Sequence, residues 1–407
     1  MSRAAVIGAT GFGLIAVCYG LARYAFGLFL PPIAAELALT PAASGFISGA
    51  AFLSYCVAIG MAAWLTERIG PRSVALGAGV AAALGMAGMA AAPSAAWLCA
   101  AVILAGSSTG LASPPLAAAV AAGVAQARQD TVNTVINAGT SAGVALSGPV
   151  ALLMGAQWRL AFACFAGAAL AMALAAWRCL PQGSTGGTGA SGTGPANGQQ
   201  RGQQRGQRGL PVLSPDLRRL ILATFLTGVA SAVVWAFGAE LAAANLDWPG
   251  ERAGLLWIAV GIAGIAGAAA GWLVARQGVN PVLRALQGAS LLAIAGVGCD
   301  SGLPALVMAS GALFGAAYML LSGVYLLWGV SALPERPATG VMLAFLTLSV
   351  GQALGAASFG ALQGYVATDA AVLGFAALSL LAAAVGRTAP AASAGHQECG
   401  TPIKRAQ

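Results

Sequence analysis

Charged side chains are scarce in this sequence: Asp, Glu, Lys and Arg together make up 7% of its 407 residues, against about a quarter in soluble domains. A chain so poor in charge cannot cover itself with a water-facing surface, which excludes a soluble globular protein. Histidine is represented by His396 alone, near the C-terminal end, so the body of the chain lacks the commonest general base and metal ligand. The seven cysteines (Cys18, Cys56, Cys99, Cys164, Cys179, Cys299, Cys399) are scattered, with neither CxxC nor CxxH spacing, and predict no disulfide and no metal site. A GxxxxGK[ST] loop is also missing, which argues against ATP-driven pumping. No cofactor is expected.

Two short matches to enzyme motifs fail in context. Gly8-Ala9-Thr10-Gly11-Phe12-Gly13 mimics a dinucleotide loop but has no strand, turn and helix unit around it. Gly139-Thr140-Ser141-Ala142-Gly143 fits G-x-S-x-G, yet it lies inside an apolar run and has no histidine to serve it. These glycines, like Gly106 and Gly110, are better read as small contacts spaced four apart that let helices approach. Neither an enzyme nor a nucleic-acid-binding protein is expected.

What the chain has in abundance is apolar sequence, 59% of all residues. Twelve runs of helix length follow one another, at about 5–35, 45–66, 73–92, 97–121, 131–155, 159–180, 217–243, 252–275, 283–299, 304–330, 338–362 and 369–387. A bilayer admits only helices or closed barrels, and these runs do not alternate polar with apolar as barrel strands do. The expected fold is therefore an all-α membrane protein with twelve transmembrane helices. The first run is about twice the length of a signal-peptide core and has Arg3 alone ahead of it, so it is read as a retained helix.

An even number of spans puts both ends of the chain on one side, and the positive-inside rule says which. With that side cytoplasmic, the inner segments hold Arg3, Arg68, Arg72, Arg128, Arg178, Arg201, Arg205, Arg208, Arg218, Arg219, Arg276, Arg284, Arg336, Arg387, Lys404 and Arg405, and the outer loops only Arg159 and Arg252. The formal charge of +8 thus reflects orientation in a cell inner membrane.

Residues 181–215 are a Gly, Ser, Gln and Arg tract that reads as a flexible cytoplasmic linker between an N-terminal half (1–180) and a C-terminal half (216–388). The tail, 389–407, reads as disordered. The halves repeat. Ala63-Trp64-Leu65-Thr66-Glu67-Arg68-Ile69-Gly70 aligns with Gly271-Trp272-Leu273-Val274-Ala275-Arg276-Gln277-Gly278 at an offset of 208, which also pairs Arg128 with Arg336, Thr131 with Thr339 and Gly143 with Gly351. An offset of 211 pairs Tyr24-Ala25-Phe26-Gly27 with Trp235-Ala236-Phe237-Gly238. Repeats about an axis along the membrane normal place a solute site at the midplane between two rocking halves.

The turn at residues 63–72 resembles the signature G-x-x-x-D-R-x-G-R/K-R/K of the major facilitator superfamily, with Ala63, Glu67 and Pro71 as departures and Arg68, Gly70 and Arg72 in place. Trp158-Arg159-x-x-Phe162 and Gly148-Pro149 are similar to features of the same family, and the Arg23-Tyr24 pair is similar to a poorly characterised bacterial branch of it. The resemblance implies a secondary transporter working by alternating access. It also implies a gate role for Glu67, Arg68, Gly70, Arg72, Arg276 and Gly278; the alternative is that this basic turn only sets the topology. The arginine that the family often carries four residues before the Gly110 position is Gly106 here, so its role does not carry over.

Arg23 is the most informative single residue. It lies 20 residues beyond Arg3 and 13 before Glu36, which places a cation near the midplane, where it is costly and normally faces a cavity or a partner. Two readings stand: a clamp for a carboxylate, which a guanidinium grips bidentately, or a structural role, as a tie to a carbonyl of the fifth or eleventh span or as an outer-end charge that snorkels. Glu240 is the acid inside an apolar run of the second half and a candidate for proton coupling; it aligns about 9 Å outward of Arg23, so a direct bridge between them is not expected. Among the polar residues of the fourth, fifth, tenth and eleventh spans (Ser107, Ser108, Asn133, Asn137, Thr140, Ser141, Tyr318, Tyr325, Gln352), Asn137, Tyr318 and Gln352 are the deepest candidates, with Tyr24, for the substrate site. The expected ligand is a small organic anion and the expected state a monomer. Proton-antiport efflux of drugs or metabolites and a non-transporting scaffold are the alternatives.

Overall fold

A computed structural model describes residues 2–182, 214–249 and 252–387, and these are overwhelmingly helical. Among the described residues, eleven helices are long and apolar enough to cross a membrane: α1 (Arg3–Leu28), α2 (Pro41–Ile69), α3 (Pro71–Ala90), α4 (Ala95–Gly123), α5 (Gln126–Met154), α6 (Trp158–Cys179), α7 (Pro215–Asn245), α8 (Ala253–Gln277), α9 (Val279–Gly298), α10 (Pro304–Ala332) and α11 (Pro337–Leu362). A shorter apolar helix, α12 (Thr368–Ala384), completes twelve. No strand occurs among the described residues beyond one isolated bridge, Gln363 to Val366. Apart from its first and last two residues, the linker expected over 181–215 lies outside the described residues, as does the tail from 389.

The helix starts are written in the sequence. Ser2, Thr40, Ser94 and Ser214 cap α1, α2, α4 and α7 by accepting the backbone N–H three residues on, the usual way of satisfying a first-turn donor. Proline opens α2, α3, α7, α10 and α11, where its missing N–H costs nothing.

The first span departs from the single helix expected over 5–35. It is α-helical over Arg3–Ile15, a π-helix over Ala16–Tyr24 and α-helical again over Ala25–Leu28, then breaks at Phe29 before a short helix, Leu30–Leu37. Pro31 and Pro32 enforce the break, since neither can donate to the preceding turn. The π stretch carries both Gly20 and Arg23, and such widened turns concentrate at functional sites.

Glycine contacts repeat between the halves as the sequence does. A Cβ built on Gly20 would lie 2.4 Å from the backbone of Gly143, where α1 crosses α5. At the same offset of 208, Gly228 faces Gly351 where α7 crosses α11, a built Cβ on Gly228 lying 3.0 Å from the Gly351 Cα. The two signature turns match as well: Gly70 and Gly278 both sit at φ 82°, a conformation that disfavours side chains.

The halves meet along α2 with α11 and α5 with α8, and only part of the way. Built Cβ atoms on Gly45 and Gly49 fall within 2.4 and 2.7 Å of the Ala356 and Ala353 carbonyls, and the Cys56 thiol reaches the Leu346 carbonyl at 3.6 Å. Four residues beyond Cys56 on α2, a Cβ built on Gly60 would meet no neighbouring helix within 4 Å. On the other side Gly148 meets Gly254, Gly261 meets Ala145 and Gly264 meets Ser141, after which Gly271 is open. A 3-10 segment, Ile265–Ala269, interrupts the α-helical winding of α8 between these positions. The bundle is thus closed at the end away from the chain termini and parted at the end near them.

Within the N-terminal half the closed end is fastened by Glu36. Its carboxylate accepts from Trp158 Nε1 at 2.6 Å and from Arg159 at 2.8 and 2.9 Å, and Arg159 also donates to the Ala90 and Ala92 carbonyls. These bonds hold the Glu36 carboxyl below the usual carboxylate range, Arg159 being the first cause and Trp158 the second.

Candidate functional site

Arg23 stands at the apex, where the closed and parted regions meet. Its side chain is 6% exposed and is the one charged member of the buried set among the described residues. From α1 it reaches across to the other half: Nη2 donates to Gln352 Oε1 at 2.9 Å and to Ser349 Oγ at 3.1 Å, both on α11. Gln352 in turn donates to the Tyr318 hydroxyl on α10 at 3.0 Å, and Tyr318 and Tyr24 hydroxyls are 3.5 Å apart. Arginine therefore meets α11 through two side chains, whereas a backbone carbonyl was one of the expected partners.

Aromatic rings enclose the guanidinium. Its carbon lies 4.7 Å from the Phe52 centroid, 4.8 Å from Tyr55 and 5.4 Å from Tyr24. Tyr24 stacks on Trp235 of α7 at 4.0 Å, and Trp235 meets Phe314 and Tyr318 edge-on at 5.3 and 5.2 Å. Trp257 of α8 donates to the Tyr24 carbonyl at 3.3 Å. Hydrogen bonds to an ion contribute about 1.5–3 kcal/mol each and cation–π contacts about 0.5–2 kcal/mol. Removing an ion from water costs several kcal/mol. Neutral partners offset that cost without cancelling the charge, and among the described residues no carboxylate joins Arg23. Its Nε and the Trp235 Nε1 are buried donors with no acceptor.

Of the expected substrate residues, Arg23, Tyr24, Tyr318 and Gln352 come together here. Asn137 does not: it is exposed on the face of α5 that runs on from Ser141 into the parted region. Glu240 lies five residues beyond Trp235 toward the closed end, about 7.5 Å along the helix, half-buried and joined to Arg23 by no hydrogen bond or ion pair. Tyr325, expected to line the cavity, bonds instead to Thr227 at 2.6 Å and Gln287 at 2.8 Å inside the C-terminal half. Ser107 and Ser108 bond back to their own helix at Leu104 and Ala105.

The two signature turns lie at the parted end. Arg68 stacks on Trp64 at 4.0 Å and Arg276 on Trp272 at 4.5 Å, the same contact at the same place in each repeat, while Arg72 covers Trp177 at 4.1 Å. Among the described residues no hydrogen bond or ion pair ties Glu67 or Arg68 to the opposite half. Gly70 and Gly278 supply the left-handed φ that lets one helix stop and the next begin at once.

Sequence reasoning missed Ser349, Phe52, Tyr55 and Trp235 as parts of the Arg23 cluster. A signal was present for Ser349, three residues before Gln352 and so on the same helical face. Phe52 and Tyr55 read as ordinary apolar-run residues, and only the crossing of α2 past α1 brings them to the arginine.

Twelve helices in two matching halves, parted at one end around a buried inter-half site, define a transporter fold. The profile of the Major Facilitator Superfamily matches residues 12–356, and the chain belongs to that family of non-enzymatic membrane transporters. Among solved structures it is similar to the nucleoside transporter NupG (16% identity, 94% of this chain and 98% of that one, TM-score 0.69). It is also similar to the xylose transporter XylE from E. coli (16%, 94% and 93%, 0.69). A bacterial homolog of the human lysosomal transporter Spinster gives 14%, 96% and 99%, and 0.70. No curated protein matches the sequence.

Proposed function

We propose that the chain is a secondary active transporter that moves a small organic anion across the cytoplasmic membrane by alternating access, with Arg23 as the counter-charge. The observation that carries this reading is the burial of Arg23 between the halves with neutral partners only. An anion entering from the parted end would be attracted far more strongly there than in water. It would also accept the N–H groups that now hold α11.

The arginine and lysine distribution puts both termini and the residue 181–215 linker in the cytoplasm. On that orientation the parted end is cytoplasmic and the described conformation faces inward. Residues 1–180 and 216–388 are the rocking bodies. Glu67, Arg68 and Arg72, with Arg276 and the glycine turns Gly70 and Gly278, latch them when that end closes. Asn137 lines the approach and Glu240 is where a coupled proton would reside. The carrier works as a monomer.

Thermal-shift screening of purified protein against carboxylates, amino acids and cationic dyes at two pH values tests the reading, since a ligand of the native state raises its stability. Stabilisation by carboxylates supports it. Stabilisation by cationic dyes alone would replace it with proton-antiport efflux.

A further inference from the structure

We propose that the ligand of the Arg23 site is an aromatic monocarboxylate: one negative charge on one flat apolar body. This rests on the anion reading above and narrows it.

The first argument is charge count. Arg23 is the one charged side chain in the buried set among the described residues, so the site neutralises a single negative charge. A dicarboxylate would bring a second charge among Tyr318, Trp235 and Phe314, where no cation meets it, and a buried unpaired carboxylate is strongly disfavoured.

The second argument is the character of the walls. Phe52, Tyr55 and Tyr24 surround the guanidinium, and Trp235, Phe314 and Tyr318 continue the surface on the facing half. The polar groups among them are already paired with one another: Gln352 with Arg23 and Tyr318, Ser349 with Arg23. A sugar acid, whose hydroxyls each require a partner, would find few. The donors that do lack partners, Arg23 Nε and Trp235 Nε1, call for acceptors, which a carboxylate supplies. The rings come from both halves, so parting them exposes faces on which a planar ligand stacks at the offset or edge-on spacings aromatic pairs prefer.

The test is equilibrium binding to the detergent-purified full chain of benzoate, phenylacetate, acetate, succinate, gluconate and benzylammonium, with Arg23→Ala and Phe52→Leu as variants. Benzoate or phenylacetate is expected to bind about tenfold or more tighter than acetate, succinate or gluconate. Arg23→Ala should abolish that binding, and Phe52→Leu should reduce the preference for aromatic acids over acetate while some anion binding survives. Succinate or gluconate binding as tightly as benzoate, through Arg23, would overturn the aromatic class and leave the anion reading standing. Binding of benzylammonium in place of the acids would overturn both. Failure of both aromatic acids to bind a protein that is folded by its thermal transition would overturn the proposal.

Discussion

Arg23 on α1 donates to Gln352 on α11 at 2.9 Å, so the cation that would hold an anion also fastens one half of the molecule to the other. A ligand that accepts the same N–H competes with that tie. Binding and the parting of the halves are thereby linked through one guanidinium, with no separate relay needed between site and hinge.

The closed end depends on glycine where the halves touch. A side chain at Gly45 would meet the Ala356 carbonyl at 2.4 Å, so Gly45→Leu should prop that end open. In that background a cysteine at Ser48, which is 3% exposed, should become reactive to a membrane-impermeant thiol reagent applied from the side opposite the termini. Gly143→Val is the contrast, because Gly143 packs inside the N-terminal half against the Ala16 carbonyl. It should lower the amount of folded protein and leave Ser48→Cys protected in what folds. Equal labelling in both variants would contradict the division of contacts.

Glu36 gives a pH dependence with a definite sign. Its carboxyl is held below the usual range by Arg159 and Trp158, so its contribution to stability is present above the unfolded pKa of about 4.3 and is lost as pH falls through the lower folded value. The pair is partly exposed, 36% for Arg159 and 48% for Glu36, and screening keeps the effect small. Thermal unfolding should show wild type more stable than Glu36→Gln near neutrality, with the gap closing below about pH 4. A gap that widened in acid would contradict this.

The turn at Gly70 offers a kinetic test. Arg68→Ala and Glu67→Ala should slow turnover in proteoliposomes severalfold without a matching change in equilibrium ligand affinity, because neither residue touches the Arg23 cluster. Transport at wild-type rates would reduce the turn to a topology signal.

Much of this architecture was legible in the sequence because lipid leaves the backbone few choices. Twelve apolar runs gave the helices, and the repeat of Trp64, Arg68 and Gly70 as Trp272, Arg276 and Gly278 marked the two matching turns. The broken course of the first span was not foreseen, since its apolar residues continue through Phe29 and hydropathy does not distinguish α from π winding. Arg23 stood out by its depth alone, and Gln352 and Tyr318 by being polar in deep runs. Phe52, Tyr55 and Trp235 were invisible as site residues because an aromatic in an apolar helix looks the same whether it faces lipid, core or a guanidinium. Tyr325 was misplaced for the converse reason: Thr227 and Gln287, the partners that occupy it, lie on helices whose crossing the sequence does not reveal.

The central claim is that the Arg23 charge is the ligand's counter-charge, and binding of carboxylates to wild type, Arg23→Lys and Arg23→Ala measures it most directly. Lysine keeps the charge but loses the planar fork, so affinity should weaken while some transport survives. Alanine should abolish anion binding in protein shown by its thermal transition to be folded. Folded Arg23→Ala protein that still binds and takes up the anion at wild-type affinity would contradict the account and leave Arg23 as a structural tie between α1 and α11.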